Sequence, residues 1–124
     1  MKRGDIYFIK LPSNTGDVQQ GYRPAVVIQN NLGNAKSKTT IVACLTSKLK
    51  QPLPTHCFIK KGVGGLQKNS TVLCEQLLTI DQRNLGQYIG TIKNNPILEK
   101  LDQCIRVSLG LEEEYGNHRT YRGN

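Results

Sequence analysis

The chain has 124 residues, 37% of them hydrophobic, and its 17 Lys and Arg outnumber 9 Asp and Glu for a net charge of +8. That length predicts one domain with a self-sufficient core, and no apolar run nears the ~20 residues of a membrane span, which excludes a membrane helix. The positive excess favours a polyanion or an acidic protein as partner over a merely solvated basic surface, while the scatter of Lys and Arg excludes a basic DNA-binding arm or tail.

"GDIYFIKL" (4–11) mixes β-branched and aromatic residues and stops at Pro12, which predicts a strand. The start "MKRGDIYFIKLP" carries charge without the apolar stretch of a signal peptide, so a cytoplasmic chain is expected. A polar loop (12–22) leads to a strand at "PAVVIQN" (24–30), with Pro24 suited to its first position. Residues 31–38 read as a loop with one helical turn, and "TTIVACLT" (39–46) as a strand buried on both faces. After a basic loop come strands at "THCFIK" (55–60), "STVLCEQLLTID" (70–81) and "GQYIGTI" (86–92), with a glycine-rich turn over 61–69. The period then changes: Ile97, Leu98, Leu101, Cys104 and Ile105 form a helical stripe, begun by Asn95 as N-cap and Pro96, and ended by Gly110. The pattern predicts a mainly β chain, a small bent antiparallel sheet or barrel closed by a terminal helix. Residues 1–111 form the single expected domain and 112–124 a polar tail.

The four cysteines, at 44, 57, 74 and 104, include no C-x-x-C, and His56 and His118 add no ligand spacing. No metal, cofactor or disulfide framework is expected, and Cys44 and Cys74 read as small buried hydrophobes. Phosphate chemistry would then fall to side chains.

Polar residues stand where strands meet loops: Arg23 before one strand, Thr46 after another, and Glu75-Gln76 within a third. Arginine offers a rigid fork of donors to a phosphate or carboxylate, and threonine offers a hydroxyl. Brought together by a curled sheet, they would hold a phosphorane as an oxyanion hole holds its oxygen. RNA supplies its own nucleophile, the 2′-hydroxyl, so such a site would suffice for transesterification without a metal. Plainer roles stay open: an ion pair for Arg23, a strand end for Thr46, a solvated position for Glu75 and a structural role for His56.

The segments "KRGDIYFIKL", "GDVQQGYRPAVVIQNNLGN", "TTIVACLTSK", "LPTH", "STVLCEQLLTID" and "ILEKLDQCIRVSLGL", in this order over nearly residues 2 to 111, resemble the MazF/PemK family of bacterial toxins. These are the mRNA interferases of type II toxin–antitoxin systems. The resemblance implies a curved SH3-like barrel with a C-terminal helix, assembled as a homodimer. It implies sequence-specific, metal-independent cleavage of single-stranded RNA to 2′,3′-cyclic phosphate and 5′-hydroxyl ends, which halts translation and growth. It also implies a cognate acidic antitoxin protein whose disordered tail covers the RNA groove, and operator DNA as a partner of the toxin–antitoxin complex.

Position by position, the family arginine falls on Arg23, implied to hold the scissile phosphate and protonate the leaving 5′-oxygen, and the family threonine on Thr46, implied to stabilise charge on that phosphate. Many relatives carry Glu five residues before the arginine. Val18 stands there in this chain, so the proton-accepting role is open among Asp17, His56 and solvent. Gln19, Gln20 and Tyr22 are expected to bond to or stack on unpaired bases. Ser70, Glu75 and Gln76 are expected near the RNA groove, and Lys48 and Lys50 along the phosphates. CcdB-type poisons of DNA gyrase share the fold, and a non-catalytic RNA-binding relative is the other alternative; "GYRP" and the Thr46 strand match the ribonuclease branch better.

Overall fold

The computed structural model describes residues 1–11, 21–48 and 51–113. Six strands run β1 (Asp5–Lys10), β2 (Tyr22–Val27), β3 (Thr39–Thr46), β4 (His56–Ile59), β5 (Ser70–Asp81) and β6 (Tyr88–Thr91). Helix α1 (Asn31–Lys36) follows β2, and α2 (Asn95–Ser108) follows β6. The strands pair antiparallel in the order β4-β5-β3-β2-β1-β6, so β4 and β6 are the edges of a curled, open sheet. The mainly β architecture with a terminal helix is therefore the one expected.

The sheet has an apolar layer on each face. Towards α2, Ile6, Val26, Ala43, Leu45, Cys57, Ile59 and Val72 pack with Leu101 and Cys104 of the helix. On the opposite face, Ile9, Ala25, Val27, Val42 and Cys44 pack with Tyr7, Leu11, Leu78, Ile80 and Leu85. Strand β3 feeds both layers alternately, which is why its sequence is an unbroken apolar run. All four thiols are free and buried.

β3 and β5 occupy the predicted residues. β2 begins earlier, because Tyr22 pairs with Lys10 across the β1–β2 ladder, and it ends at Val27. The chain then turns into α1, where the Asn30 side chain accepts from Gly33 N at 2.7 Å. Between Ala43–Leu77 and Cys44–Leu73 the β3–β5 register slips, leaving Cys74, Glu75 and Gln76 as a bulge on β5. The polar pair seen in the middle of that strand therefore marks a place where the ladder opens.

The cap of α2 is Asn94, one residue before the expected Asn95; its side chain accepts from Ile97 N at 3.2 Å. Pro96 falls in the first turn, where no helical N–H bond is lost. At the other end Ser108 Oγ donates to Cys74 O at 2.7 Å, fastening the helix to β5. Asn94→Ala is expected to lower stability by about 1 kcal/mol, with Asn94→Asp close to wild type, read from urea midpoints at unchanged m-value. Of the polar tail, only the start to Glu113 is described; there Arg106 Nε donates to Glu112 Oε1 at 2.6 Å. Among the described residues no helix is long and apolar enough to cross a membrane.

Candidate functional site

The β2–β3 ladder pairs Ala25 with Cys44 and Val27 with Val42. Arg23 and Thr46 lie two residues beyond the last pair of this ladder, on the same face of neighbouring strands. Arg23 also lies opposite Ile9 of β1, Thr46 opposite Thr71 of β5, and Thr71 opposite Phe58 of β4. Residues directly opposite in antiparallel strands share a face. A single row, Ile9–Arg23–Thr46–Thr71–Phe58, therefore crosses five strands on the face away from α2.

Each member of the pair is held by its strand. Arg23 is half-buried at the start of β2. Burial pushes the Cys44 thiol pKa up and the Arg23 guanidinium pulls against it. Thr46, 6% exposed, accepts from Lys48 N at 3.2 Å through Oγ1. That bond leaves the hydroxyl proton of Thr46 to donate. A fixed cation and a hydroxyl donor, side by side on rigid strands, suit an oxyanion with two or more acceptor oxygens.

The other predicted residues are distributed differently. His56 lies opposite Leu73, and Leu73 opposite Cys44, so it shares the face but sits in the next row. Three strand spacings, roughly 14 Å, separate its strand from that of Arg23. His56 Nε2 and Glu75 Oε2 are 3.1 Å apart, and Thr55 Oγ1 donates to Glu75 Oε1 at 2.9 Å. The structure thus joins His56 to Glu75 and not to the Arg23–Thr46 pair. Ser70 sits in register on the opposite face, where its hydroxyl donates to Lys68 O at 2.9 Å, yet it lines a cavity of about 580 Å³ together with Thr46, Pro24, Phe8, Leu45 and Tyr88, so the structure brings Ser70 and Thr46 to one cavity. Gln76 is exposed in the bulge, and Tyr22 and Lys48 are exposed beside the row. Asp17, Gln19, Gln20 and Lys50 lie outside the described residues. Among the described residues, no group of three or more His, Cys, Asp or Glu side chains is arranged to hold a metal ion.

Burial acts to raise the pKa of Glu75, but its own backbone N–H, the Thr55 hydroxyl and His56 together override that and leave it below its ordinary 4.5. A carboxyl lowered on folding stabilises the fold above its unfolded pKa and loses that contribution as pH falls through the folded one. Urea midpoints of wild type are therefore expected to fall as pH drops below the ordinary value of 4.5, and Glu75→Gln to flatten that acid limb.

Sequence reasoning passed over Thr71 and Phe58. The signal for Phe58 lay in "HCFIK", where buried Cys57 and Ile59 alternate with the outward His56, Phe58 and Lys60.

Comparison with known proteins places this geometry in a family. Residues 2–109 match the model for the PemK-like, MazF-like toxin of type II toxin–antitoxin systems. The chain is 41% identical over 112 residues to a Bacillus subtilis (strain 168) protein named endoribonuclease EndoA, a match covering 90% of this chain and 96% of that one. It is 39% identical over 112 residues to an endoribonuclease MazF of Staphylococcus saprophyticus, covering 90% and 92%. Among solved structures, the Mycobacterium tuberculosis toxin MazF-mt6 shares the fold with a TM-score of 0.72 at 22% identity, over 87% of this chain and 98% of that one. A mycobacterial endoribonuclease in complex with its cognate antitoxin shares it with a TM-score of 0.71 at 22% identity, over 90% and 96%. The chain belongs to the PemK-like, MazF-like toxin family of type II toxin–antitoxin systems.

Proposed function

We propose that this toxin is a cytoplasmic endoribonuclease that cuts single-stranded RNA, mRNA above all, at short sequence motifs and so arrests translation and growth. The observation that supports the reading is that Arg23 and Thr46 fall on one sheet face of neighbouring strands, two residues beyond the Ala25–Cys44 pair. Relatives about 40% identical over nearly their whole length bear the name endoribonuclease, which supports the same chemistry. In the reaction the 2′-oxygen attacks the adjacent phosphorus and the bond from phosphorus to the 5′-oxygen breaks. The products are a 2′,3′-cyclic phosphate and a 5′-hydroxyl, the leaving 5′-oxygen taking its proton from water or from Arg23, which regains it from solvent. The Arg23 fork grips the non-bridging oxygens as charge grows on them, and Thr46 donates to the same group. Arginine stays protonated at all working pH values, so its electrostatic role is the larger one and the 2′-proton passes to water or to Asp17.

The partners follow from the same reading: RNA in the groove, and an acidic antitoxin that covers it; the mycobacterial structural neighbour is an endoribonuclease in complex with its cognate antitoxin. A net charge of +8 suits both polyanions. A homodimer is the assembly proposed.

The test is RNA incubated with purified toxin in EDTA, followed by end-mapping. Cyclic-phosphate and 5′-hydroxyl ends at a recurrent motif support the reading. Intact RNA with arrested DNA supercoiling would replace it by a gyrase poison, and RNA bound but uncut would replace it by a binding module.

A further inference from the structure

We propose that Phe58 is a stacking platform for an unpaired base of the bound RNA, lying within a few nucleotides of the phosphate held by Arg23 and Thr46. The inference rests on the ribonuclease reading and deepens it by naming where a base is held.

Phe58 is 57% exposed on the edge strand β4, although removing its apolar ring from water would be favourable. A lone exposed aromatic is ordinary. This one is not placed at random: the row from Arg23 through Thr46 and Thr71 ends on it. Arg23 and Phe58 stand three strand spacings apart, about 14 Å, within the reach of a few stacked nucleotides. The same alternation that turns Phe58 outward turns the exposed Lys60 outward two residues later. Lys48, two residues past Thr46 and beyond the end of β3, is exposed as well. A flat ring with cations on its flank is the composition of a single-strand groove, in which bases stack and phosphates pair with lysine.

Charge decides between the occupants of such a surface. A second copy of a +8 chain would bring like charge to Lys48 and Lys60, whereas a polyanion brings the opposite. The ring face asks for a planar π-system rather than an aliphatic side chain, and every nucleobase provides one. Stacking is tolerant of base identity, so Phe58 contributes affinity and register more than motif choice.

The test measures binding and cleavage separately, with the full chain. Binding of short single-stranded RNA is measured by fluorescence anisotropy in the Arg23→Ala background, where the oligonucleotide stays intact. Phe58→Ala is expected to weaken Kd by roughly 5- to 100-fold, and Phe58→Trp to restore it. In the cleaving protein, Phe58→Ala should raise KM by the same factor and change kcat less than about threefold. Scanning an abasic site along the oligonucleotide should find one position whose loss costs wild type as much as Phe58→Ala and costs Phe58→Ala nothing more. Unchanged Kd overturns the platform, and so does an equal loss at every abasic position. A change in oligomeric mass with Phe58→Ala assigns the ring to a protein interface instead. Weakened antitoxin binding with unchanged RNA affinity assigns it to the antitoxin. If wild type cuts no RNA yet the Phe58-dependent binding persists, the nuclease reading fails and the platform stands.

Discussion

Arg23→Ala is expected to lower the single-turnover rate of RNA cleavage by about 10²–10³-fold, because on the proposed reading it deletes a charged donor to an oxyanion that forms only in the transition state. Arg23→Lys restores charge without the planar fork and should recover only part of that loss. Stability should move by no more than about 1 kcal/mol, since Arg23 is half-buried at a strand start and its neighbours Ile9 and Ala25 keep their packing. RNA affinity should fall modestly, and the salt slope should shrink by about 0.7, the value of one phosphate contact on a single strand. Thr46→Val keeps the β-branched shape while removing the hydroxyl, and is expected to cost roughly tenfold. It also frees Lys48 N, so its effect includes a loosened strand end. If both residues hold one phosphate, the double variant should be little worse than Arg23→Ala alone. Additive losses would place them on different groups. Rate constants from quenched time courses, with circular-dichroism melts of each variant, separate these outcomes.

How much of this was legible in the sequence differs from element to element, for identifiable reasons. β3 and β5 were read to the residue; in β3 an apolar run buried on both sheet faces leaves no competing period. The α1 region was less readable. Its order depends on Asn34, 6% exposed, whose Oδ1 accepts from Thr40 Oγ1 at 2.7 Å and Gln29 Nε2 at 2.9 Å. Gln82, far along the chain, closes the same turn by donating to the carbonyl oxygens of Asn34, Ser37 and Thr39. A side-chain amide buried by distant partners leaves no local pattern.

The site divides in the same way. Thr46 closes a strand whose bounds were legible to the residue, whereas Arg23 was expected just before a strand at 24–30 and lies inside β2, which runs from Tyr22 to Val27. Ser70 and Phe58 needed more, since which face a strand residue occupies depends on register, and the slip at Cys74–Gln76 resets it. That slip carries Glu75 to Thr55 and His56, so a residue expected at the groove became half of a side-chain clasp on β4.

A large stability loss from a one-carbon change is expected at Gly90, and its reason is close approach, not backbone conformation. A Cβ there would overlap Gly64 O and come within 2.7 Å of Gly64 C and 3.0 Å of Gly65 N. A Cβ on Gly65 would in turn overlap Ile89 O. All these neighbours are backbone, so no flexible side chain can give way. The turn at Val63–Gly65 lies against β6 main chain to main chain, with φ of +63° at Gly64 and +79° at Gly65. This contact spans the opening between the two sheet edges and lets Leu66 and Ile92 bury to 5% and 3% exposure. Gly90→Ala must push turn and strand apart, and a loss of about 2–4 kcal/mol is expected, a fall in Tm on the order of 10 °C. Gly62 is the control: its φ is +97°, yet a Cβ there meets nothing within 4 Å. Gly62→Ala should therefore cost only the conformational share, about 1 kcal/mol. A larger loss at Gly62 than at Gly90 would make backbone conformation the dominant constraint on this edge. β6 pairs with β1, and β1 carries Ile9 opposite Arg23. Cleavage by Gly90→Ala should accordingly match wild type well below its Tm and fail together with the fold as temperature rises, which ties the rigidity of the phosphate grip to an edge contact on the far side of β1.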